Sequence, residues 1–483
     1  MTSATMGNRM KFYLIVLFCM FLLNTGLRAQ GINIKIHLRG VYNSKISLLP
    51  MTGTNALKPL VEKEGIKNEE VAVISIPEDR LPGEFVLRFD YKQKESSNPY
   101  PSEKRIVAYN QDLELWVSPP YANNQDSTYF QKDERENALI AKFFKESSKR
   151  KEQLGLLQNF LMNYDEPHSD FYKRGIHEYE KRRVEYNQWL EMQINQNKGT
   201  FVSSSFRFQY VPKVDWKGSE TDRKWSLVAH YFDGMDFKDP LLIKTTGIKD
   251  WLNQYVNIYG TFSTTVALRD SLFTLAGQRA ITHACLGHPL VYGWVVDYFY
   301  NGYESFNIAA GMKMLKPYLD DPNCLTSKRQ AIEKRLQGME TLTVGTLAPD
   351  FISQDDKGNT IRFHDYKENC RYKLVFFWSA DCNHCKELVG KLYPLCEQWK
   401  NKNLMDVFAI SVDETKTEIP IWEKTKGLYP LWKHIRAKGG INSKEASAYF
   451  ILSTPVMILV DSQTNKIIAL PENIEQLSKA IGE

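Results

Sequence analysis

The run Leu374-Val375-Phe376-Phe377-Trp378-Ser379-Ala380-Asp381-Cys382-Asn383-His384-Cys385 decides the fold of the last third of this chain. Five consecutive apolar residues predict a strand buried on both faces. A three-residue turn follows, and then two cysteines separated by two residues. From Cys385 the pattern predicts a helix to about residue 400. A helix N-terminus carries unpaired N–H groups and about half a positive charge, so it stabilises an anion. The thiolate is the attacking species in disulfide exchange. A cysteine at that helix end is therefore armed, and a second one turn on is close enough to bridge to it. Cys382 is expected to attack and Cys385 to resolve.

Outward from this run, strands and helices alternate. Strands are predicted at 373–378, 407–412, 456–460 and 466–470, with helices at 385–400, 418–426 and 474–481. Such alternation implies an α/β sheet. Thr454-Pro455 stands immediately before the apolar run Val456-Met457-Ile458-Leu459-Val460. A proline leading into a strand suits a cis peptide. A loop of that kind facing the cysteines offers the Thr454 backbone to a substrate strand. An ordinary proline at a strand start is the competing reading.

Other chemistries fit the cysteine pair less well. A zinc site needs further ligands; no second Cys-x-x-Cys exists, which leaves only Cys396 or His434 to borrow. A peroxidase needs one peroxide-attacking cysteine behind a Pro and a Thr or Ser, and neither is spaced for that. A purely structural disulfide remains open. His283, Cys285 and His288 do not form a metal site, because on a helix the two histidines project about 140° apart. Cys370 and Cys396 are both expected at the pole opposite Cys382. About 23 Å of strand carries the chain up from one, and about 16 Å of helix brings it back to the other. That geometry permits a bridge or two unpaired thiols.

Upstream, residues 30–120 read as β-rich. Ile32, Ile34, Ile36 and Leu38 alternate with polar residues, and turn-prone segments recur. A small antiparallel sandwich is expected, closed at Ser118-Pro119-Pro120. Residues 130–340 read as mainly helical, with apolar residues at helical spacing from 139 to 161 and a long charged helix near 172–196. More helices are expected at 248–259, 266–276, 289–300, 306–319 and 326–337. The aromatic stretch 200–240 resists assignment. The fold class is thus multidomain: an N-terminal β-sandwich-like domain, a helical middle region, and a C-terminal α/β domain over 345–483.

The first 29 residues read as a signal peptide. Arg9 and Lys11 precede an apolar run from Phe12 to Leu23, too short for a stable membrane span, and Gly26-Leu27-Arg28-Ala29 offers a cleavage site. Export, most simply to a periplasm, is the expectation. Six cysteines then remain, which permits one reactive pair and one or two structural pairs, not a disulfide scaffold. The chain has 483 residues, 43% hydrophobic and 25% charged, with a net charge of +5. These values are those of ordinary globular domains. Basic and acidic residues are interspersed, which argues against a nucleic-acid partner.

Several motifs stand in a fixed order: Ala348-Pro349-Asp350-Phe351, Asp356-Lys357-Gly358, Val375-Phe376-Phe377-Trp378, Cys382-x-x-Cys385, Ile410-Ser411-Val412-Asp413, Tyr449, and Thr454-Pro455. From Ala348 onward the chain resembles the TlpA/ResA-like branch of the thioredoxin superfamily. The resemblance implies a thioredoxin fold and thiol-disulfide oxidoreductase activity without a cofactor or metal. It implies disulfide-containing protein substrates and a membrane electron donor of the DsbD/CcdA kind. It makes Cys382 and Cys385 catalytic and assigns substrate binding to Thr454 and Pro455. Two positions depart from the pattern. Many thioredoxins carry a buried aspartate two residues before the strand's Trp, here Phe376. Many TlpA/ResA-like members carry Glu three residues after the second cysteine, here Leu388. Glu387 is one helical step away, about 100°, and is a candidate proton relay, as are water and His384. Asn383 and His384 tune the redox potential. His384 resembles the histidine of DsbA-type oxidants, whereas the family as a whole points to a reductant. The interval between those behaviours is about 150 mV, roughly 7 kcal/mol. A binding or scaffold protein with a vestigial redox domain is a third reading.

Overall fold

The computed structural model describes residues 31–53, 56–366 and 370–483. The expected targeting segment, 1–29, lies outside the described residues. The chain divides into two compact units. One runs to Tyr298 and takes in Asn323–Leu325; the other comprises Phe299–Pro322 and Thr326–Glu483.

In the first unit eight strands build two four-stranded sheets. They are β1 (Ile32–Leu38), β2 (Asn43–Pro50), β3 (Val61–Lys67), β4 (Val71–Ile76), β5 (Gly83–Lys92), β6 (Tyr100–Ala108), β7 (Leu113–Val117) and β8 (Tyr129–Phe130). The sheets run β4-β1-β7-β8 and β3-β2-β5-β6. The alternation read at Ile32, Ile34, Ile36 and Leu38 turns those side chains into the shared core, where they join Leu87 and Phe89 of the other sheet. Two details differ from the expectation. The sandwich is not wholly antiparallel, since β1 pairs in parallel with β7. The Pro-Pro turn also does not end it, because β8 returns to pair with β7. Neither pairing has a local signature: one joins segments far apart in sequence, and the other involves a two-residue strand.

Helices complete this unit: α1 (Glu136–Asn163), α2 (Asp170–Gln196), α3 (Ser203–Phe206), α4 (Glu220–Ala229), α5 (Gly247–Gly260) and α6 (Val266–Ala284). The next, α7 (Pro289–Ser305), runs across the boundary between units. The stripes read at 139–144 and 154–161 belong to one continuous helix, α1. Polar side chains join sheets and helices within the unit. Asn137 pairs with both the N–H and the carbonyl of Val107, each at 2.8 Å. The Glu84 carboxylate accepts from the Thr246 N–H at 3.1 Å and its hydroxyl at 2.6 Å. The unassigned stretch 200–240 contains only short helical segments around buried Phe201, Phe206 and Trp216. Apart from α4, they are too short to display a helical period.

The second unit contains α8 (Ala309–Met314), α9 (Lys316–Leu319) and α10 (Arg329–Thr341), then the pair β9 (Ile352–Gln354) and β10 (Thr360–Arg362). The expected single helix at 306–319 is two short ones. A five-stranded sheet follows, formed by β11 (Tyr372–Trp378), β12 (Met405–Ser411), β13 (Lys433–Arg436), β14 (Val456–Asp461) and β15 (Ile467–Ala469). Its helices are α11 (Asn383–Asn401), α12 (Glu418–Lys426), α13 (Lys444–Ala448) and α14 (Ile474–Ile481). The strand order is β13-β12-β11-β14-β15. The central strand, β11, is parallel to β12 and antiparallel to β14. Its alternate side chains feed two cores, one with Phe376 and Trp378, the other with Val375 and Phe377. This is a thioredoxin-like sheet.

Helix α10 packs on the loop that leads into β14. The Lys334 ammonium donates to the Ile451 carbonyl at 2.8 Å. Gly338 abuts Phe450, whose φ is +49°. A Cβ on Gly338 would lie 2.8 Å from the Phe450 Cβ. Glycine inside a helix ordinarily costs stability, so its presence here reflects that approach. Gly338→Val is expected to destabilise this unit by about 1–3 kcal/mol through overpacking. Hydrogen exchange of the β14 amides checks this: exchange should be at least about fivefold faster, and wild-type protection would exclude the contact.

Candidate active site

All seven residues of β11 are buried, so this strand occupies the centre of the sheet. At its carboxyl end the turn Ser379-Ala380-Asp381 leads directly into α11. Cys382 is the N-cap of that helix, and its sulfur accepts the Cys385 N–H at 3.4 Å. This is the position where a side-chain acceptor satisfies an otherwise unpaired helix donor. Cys382 is half-buried, and Cys385, one turn on, is 0% exposed.

The cis peptide Thr454–Pro455 leads into β14, the antiparallel neighbour of β11. The Cys382 thiol lies 3.9 Å from the Thr454 carbonyl oxygen. Burial pushes the Cys385 thiol well above its ordinary value. Hydrogen bonds from the Thr454 hydroxyl and the Ser379 backbone act in the opposite direction, while the neighbouring Cys382 raises it further. The structure thus brings Cys382, Cys385 and Thr454 into one cluster, with Pro455 beside it. Asn383, His384 and Glu387 are exposed on the first turns of α11. After burial, the largest influences on the Cys385 thiol come from Thr454, Ser379 and Cys382.

The two apolar departures form part of the floor. Phe376 is fully buried, with ring centroids 6.3 Å from Trp378 and 5.7 Å from Trp432. Leu388 is partly buried against the same core. Sequence reasoning assigned no role to Asp413, yet its carboxylate bonds to the turn before Cys382. It accepts from the Ser379 hydroxyl at 2.6 Å and the Ala380 N–H at 2.9 Å. The available signal was an aspartate two residues after a predominantly apolar strand, with serines at 379 and 411.

The other cysteines and histidines separate. Cys370 and Cys396 are free thiols with different neighbours. Burial and the adjacent Asp406 push Cys370 up to about 11. Burial pushes Cys396 up to about 12, against a hydrogen bond with Trp432. His434 is buried and bonds the Tyr429 carbonyl at 2.9 Å through Nε2. In the first unit His283 stacks on Phe232 at 4.6 Å. Cys285 donates to the Thr282 carbonyl at 3.1 Å, and His288 accepts from the Leu290 N–H at 3.2 Å. Among the described residues no group of three or more His, Cys, Asp or Glu is arranged to hold a metal. No described helix is long and apolar enough to cross a membrane.

Residues 344–463 match the model of the AhpC/TSA family. Thiol-disulfide oxidoreductase ResA of Geobacillus kaustophilus is 33% identical over 92 residues, covering 18% of this chain and 48% of that protein. ResA of Geobacillus thermodenitrificans is 32% identical over the same shares. The chain therefore spans about half the length of these relatives. Among solved structures, the C-terminal domain of a putative thiol-disulfide oxidoreductase from Bacteroides thetaiotaomicron is 27% identical. The match covers 29% of this chain and 95% of that one, with a TM-score of 0.27. A thioredoxin-like protein from Bacteroides caccae is 17% identical over 56% of this chain and 97% of that one, with a TM-score of 0.37. The C-terminal region is thus a thioredoxin-family domain similar to ResA.

The burial of Cys385 has a direct consequence. Below its pKa the thiolate fraction grows tenfold per pH unit. In a Cys382→Ala variant, alkylation of Cys385 by iodoacetamide should be slow at pH 7 and climb about tenfold per pH unit through pH 9. A plateau below pH 8 would contradict this placement.

Proposed function

We propose that this protein is an exported thiol-disulfide oxidoreductase that reduces disulfides in protein substrates through Cys382 and Cys385. The observation that carries the reading is Cys382 capping α11 with the Thr454 carbonyl 3.9 Å from its sulfur. The Cys382 thiolate attacks one sulfur of the substrate disulfide, forms a mixed disulfide and releases the other substrate sulfur as a thiolate. Cys385 then loses its proton and attacks the Cys382 sulfur. The Cys382–Cys385 bond forms, and the second substrate sulfur leaves with the electron pair. Two electrons reach the substrate. Thr454 and Pro455 border the position that a substrate strand would take.

Cys385 has no carboxylate at Phe376 or Leu388 to take its proton. Water does so, with the exposed Glu387 and His384 as relays at the rim. A dithiol donor in the membrane, of DsbD/CcdA type, returns the pair to the reduced state. The targeting segment read at 1–29 supports an exported, periplasmic location. A second reading rests on His384, exposed between the cysteines. A protonated imidazole there stabilises the thiolate and shifts the pair toward an oxidase or isomerase.

The reduction potential separates the two. A reductant should poise near about −270 mV, whereas about −120 mV would make the protein an oxidant. A Cys385→Ala variant should accumulate mixed disulfides with its substrates, identifiable by mass spectrometry, and Cys382→Ala should trap none. Equal trapping by both variants would defeat the assignment of Cys382 as nucleophile.

A further inference from the structure

Asp413 holds the turn before the cysteines from beneath. It follows β12 by two residues and is 1% exposed. Its Oδ1 accepts the Ser379 hydroxyl at 2.6 Å. Its Oδ2 accepts the Ala380 N–H at 2.9 Å and the Ser411 hydroxyl at 2.7 Å. The Asp413 N–H donates to Ser411 Oγ at 3.1 Å, so the carboxylate is itself anchored.

Ser379 passes this restraint to both cysteines. Its carbonyl accepts the Cys382 N–H at 3.3 Å, and its backbone lies near enough to the Cys385 thiol to favour the thiolate. Its hydroxyl also accepts the Asp381 N–H at 3.2 Å. The turn lies between a strand and a helix and belongs to neither hydrogen-bond ladder. Ala380 is fully buried, so its N–H needs an internal acceptor, and Asp413 provides it. A carboxylate is acceptor-only and forms short, strong bonds to such donors. One buried side chain therefore fixes the approach of both sulfurs.

We propose that Asp413 is the positioning residue of the dithiol. Acting through Ser379 and Ala380, it keeps Cys385 aligned to attack the Cys382 sulfur of a mixed disulfide. The role rests on the exchange reading above and adds to it the group that sets the rate of ring closure. In that step the Cys385 thiolate forms a bond to the Cys382 sulfur and the substrate sulfur departs as a thiolate. Asp413 touches neither reacting atom. Misalignment of reacting groups costs rate steeply, and this turn has no other buried carboxylate bonded to it among the described residues.

The test uses the full chain with glutathione as the probe. Cys382 is loaded with glutathione, and closure to the Cys382–Cys385 disulfide is followed by acid quench and mass spectrometry. Asp413→Ala should close about tenfold or more slowly. Asp413→Asn keeps one acceptor for the Ala380 N–H and should recover part of the rate. Ser379→Ala should also slow closure, and the double variant Ser379→Ala/Asp413→Ala should fall well short of the product of the two single effects. A merely structural carboxylate would lower stability but leave closure in the folded molecules unchanged. If Asp413→Ala does not fold, Asp413→Asn and Ser379→Ala carry the comparison. Wild-type closure in these variants, or single effects that multiply in full, would overturn the proposal. A wild-type chain that forms no mixed disulfide with glutathione would overturn the exchange reading, and this role with it.

Discussion

The burial of every side chain on β11 is the constraint on which the second unit depends. A strand with no exposed face must have neighbours on both edges and cover on both sides. Here β12 and β14 supply the edges, and two aromatic cores supply the cover. One polar residue complicates the strand: Lys373 is 0% exposed. Its ammonium donates to the Phe363 carbonyl at 2.8 Å, the Tyr366 carbonyl at 3.4 Å and the Asn465 side-chain oxygen. Three acceptors meet three N–H donors, which makes the burial of an ammonium tolerable. The strand is thus fixed near its start by the polar bonds of Lys373 and along its length by packing. Its carboxyl end, where open α/β sheets hold their ligands, delivers Cys382 to a set position.

That position joins two opposing demands on sulfur. Cys382 sits at a helix N-terminus, where an N–H points at its sulfur, while Cys385 is enclosed and its thiol is held protonated by burial. An attacking thiol and a reluctant resolving thiol suit sequential exchange, in which the mixed disulfide forms first and closes second. The apolar floor of Phe376 and Leu388 makes the second thiol more reluctant, since no carboxylate stands there to take its proton. The buried carboxylate near the site lies instead under the turn, at Asp413, bonded to Ser379 and Ala380. The site thus places its buried carboxylate where it acts on the geometry of the turn and not on the Cys385 proton.

What could be read in the sequence follows from how local each signal is. The strand ending at Trp378 is a continuous apolar run, the helix after Cys382 and the helices at 418–426 and 474–481 carry apolar residues at helical spacing, and all stand where those patterns put them. Thr454-Pro455 could be linked to the cysteines because a proline before a long apolar strand constrains where that strand begins. Asp413 could not be assigned, because an aspartate just after a strand is equally consistent with a solvated turn. Only the three-dimensional return of the Ser379 turn over β12 buries it. Likewise the β1–β7 pairing joins residues about eighty positions apart, and no window of sequence contains both. The stretch 200–240 failed for a different reason: apart from α4, its aromatic residues pack from short segments in which neither period has room to repeat.

The loop before Thr454 is braced by residues that lie outside the segment matched by the family model. The family match begins at residue 344, but the compact unit reaches back to Phe299. From that earlier stretch Lys334 holds the Ile451 carbonyl and Gly338 lies against Phe450. Phe450 sits in the left-handed region, where a side chain persists only if its surroundings enforce it. Three residues after Ile451 the chain reaches Thr454, the residue whose carbonyl faces Cys382. The conformation of the loop beside Cys382 is therefore not set by the thioredoxin-like sheet alone. Helix α10 is bonded to it directly, and a substrate strand pairing along Thr454 would meet a backbone restrained from both ends: by β14 after Pro455 and by α10 before it.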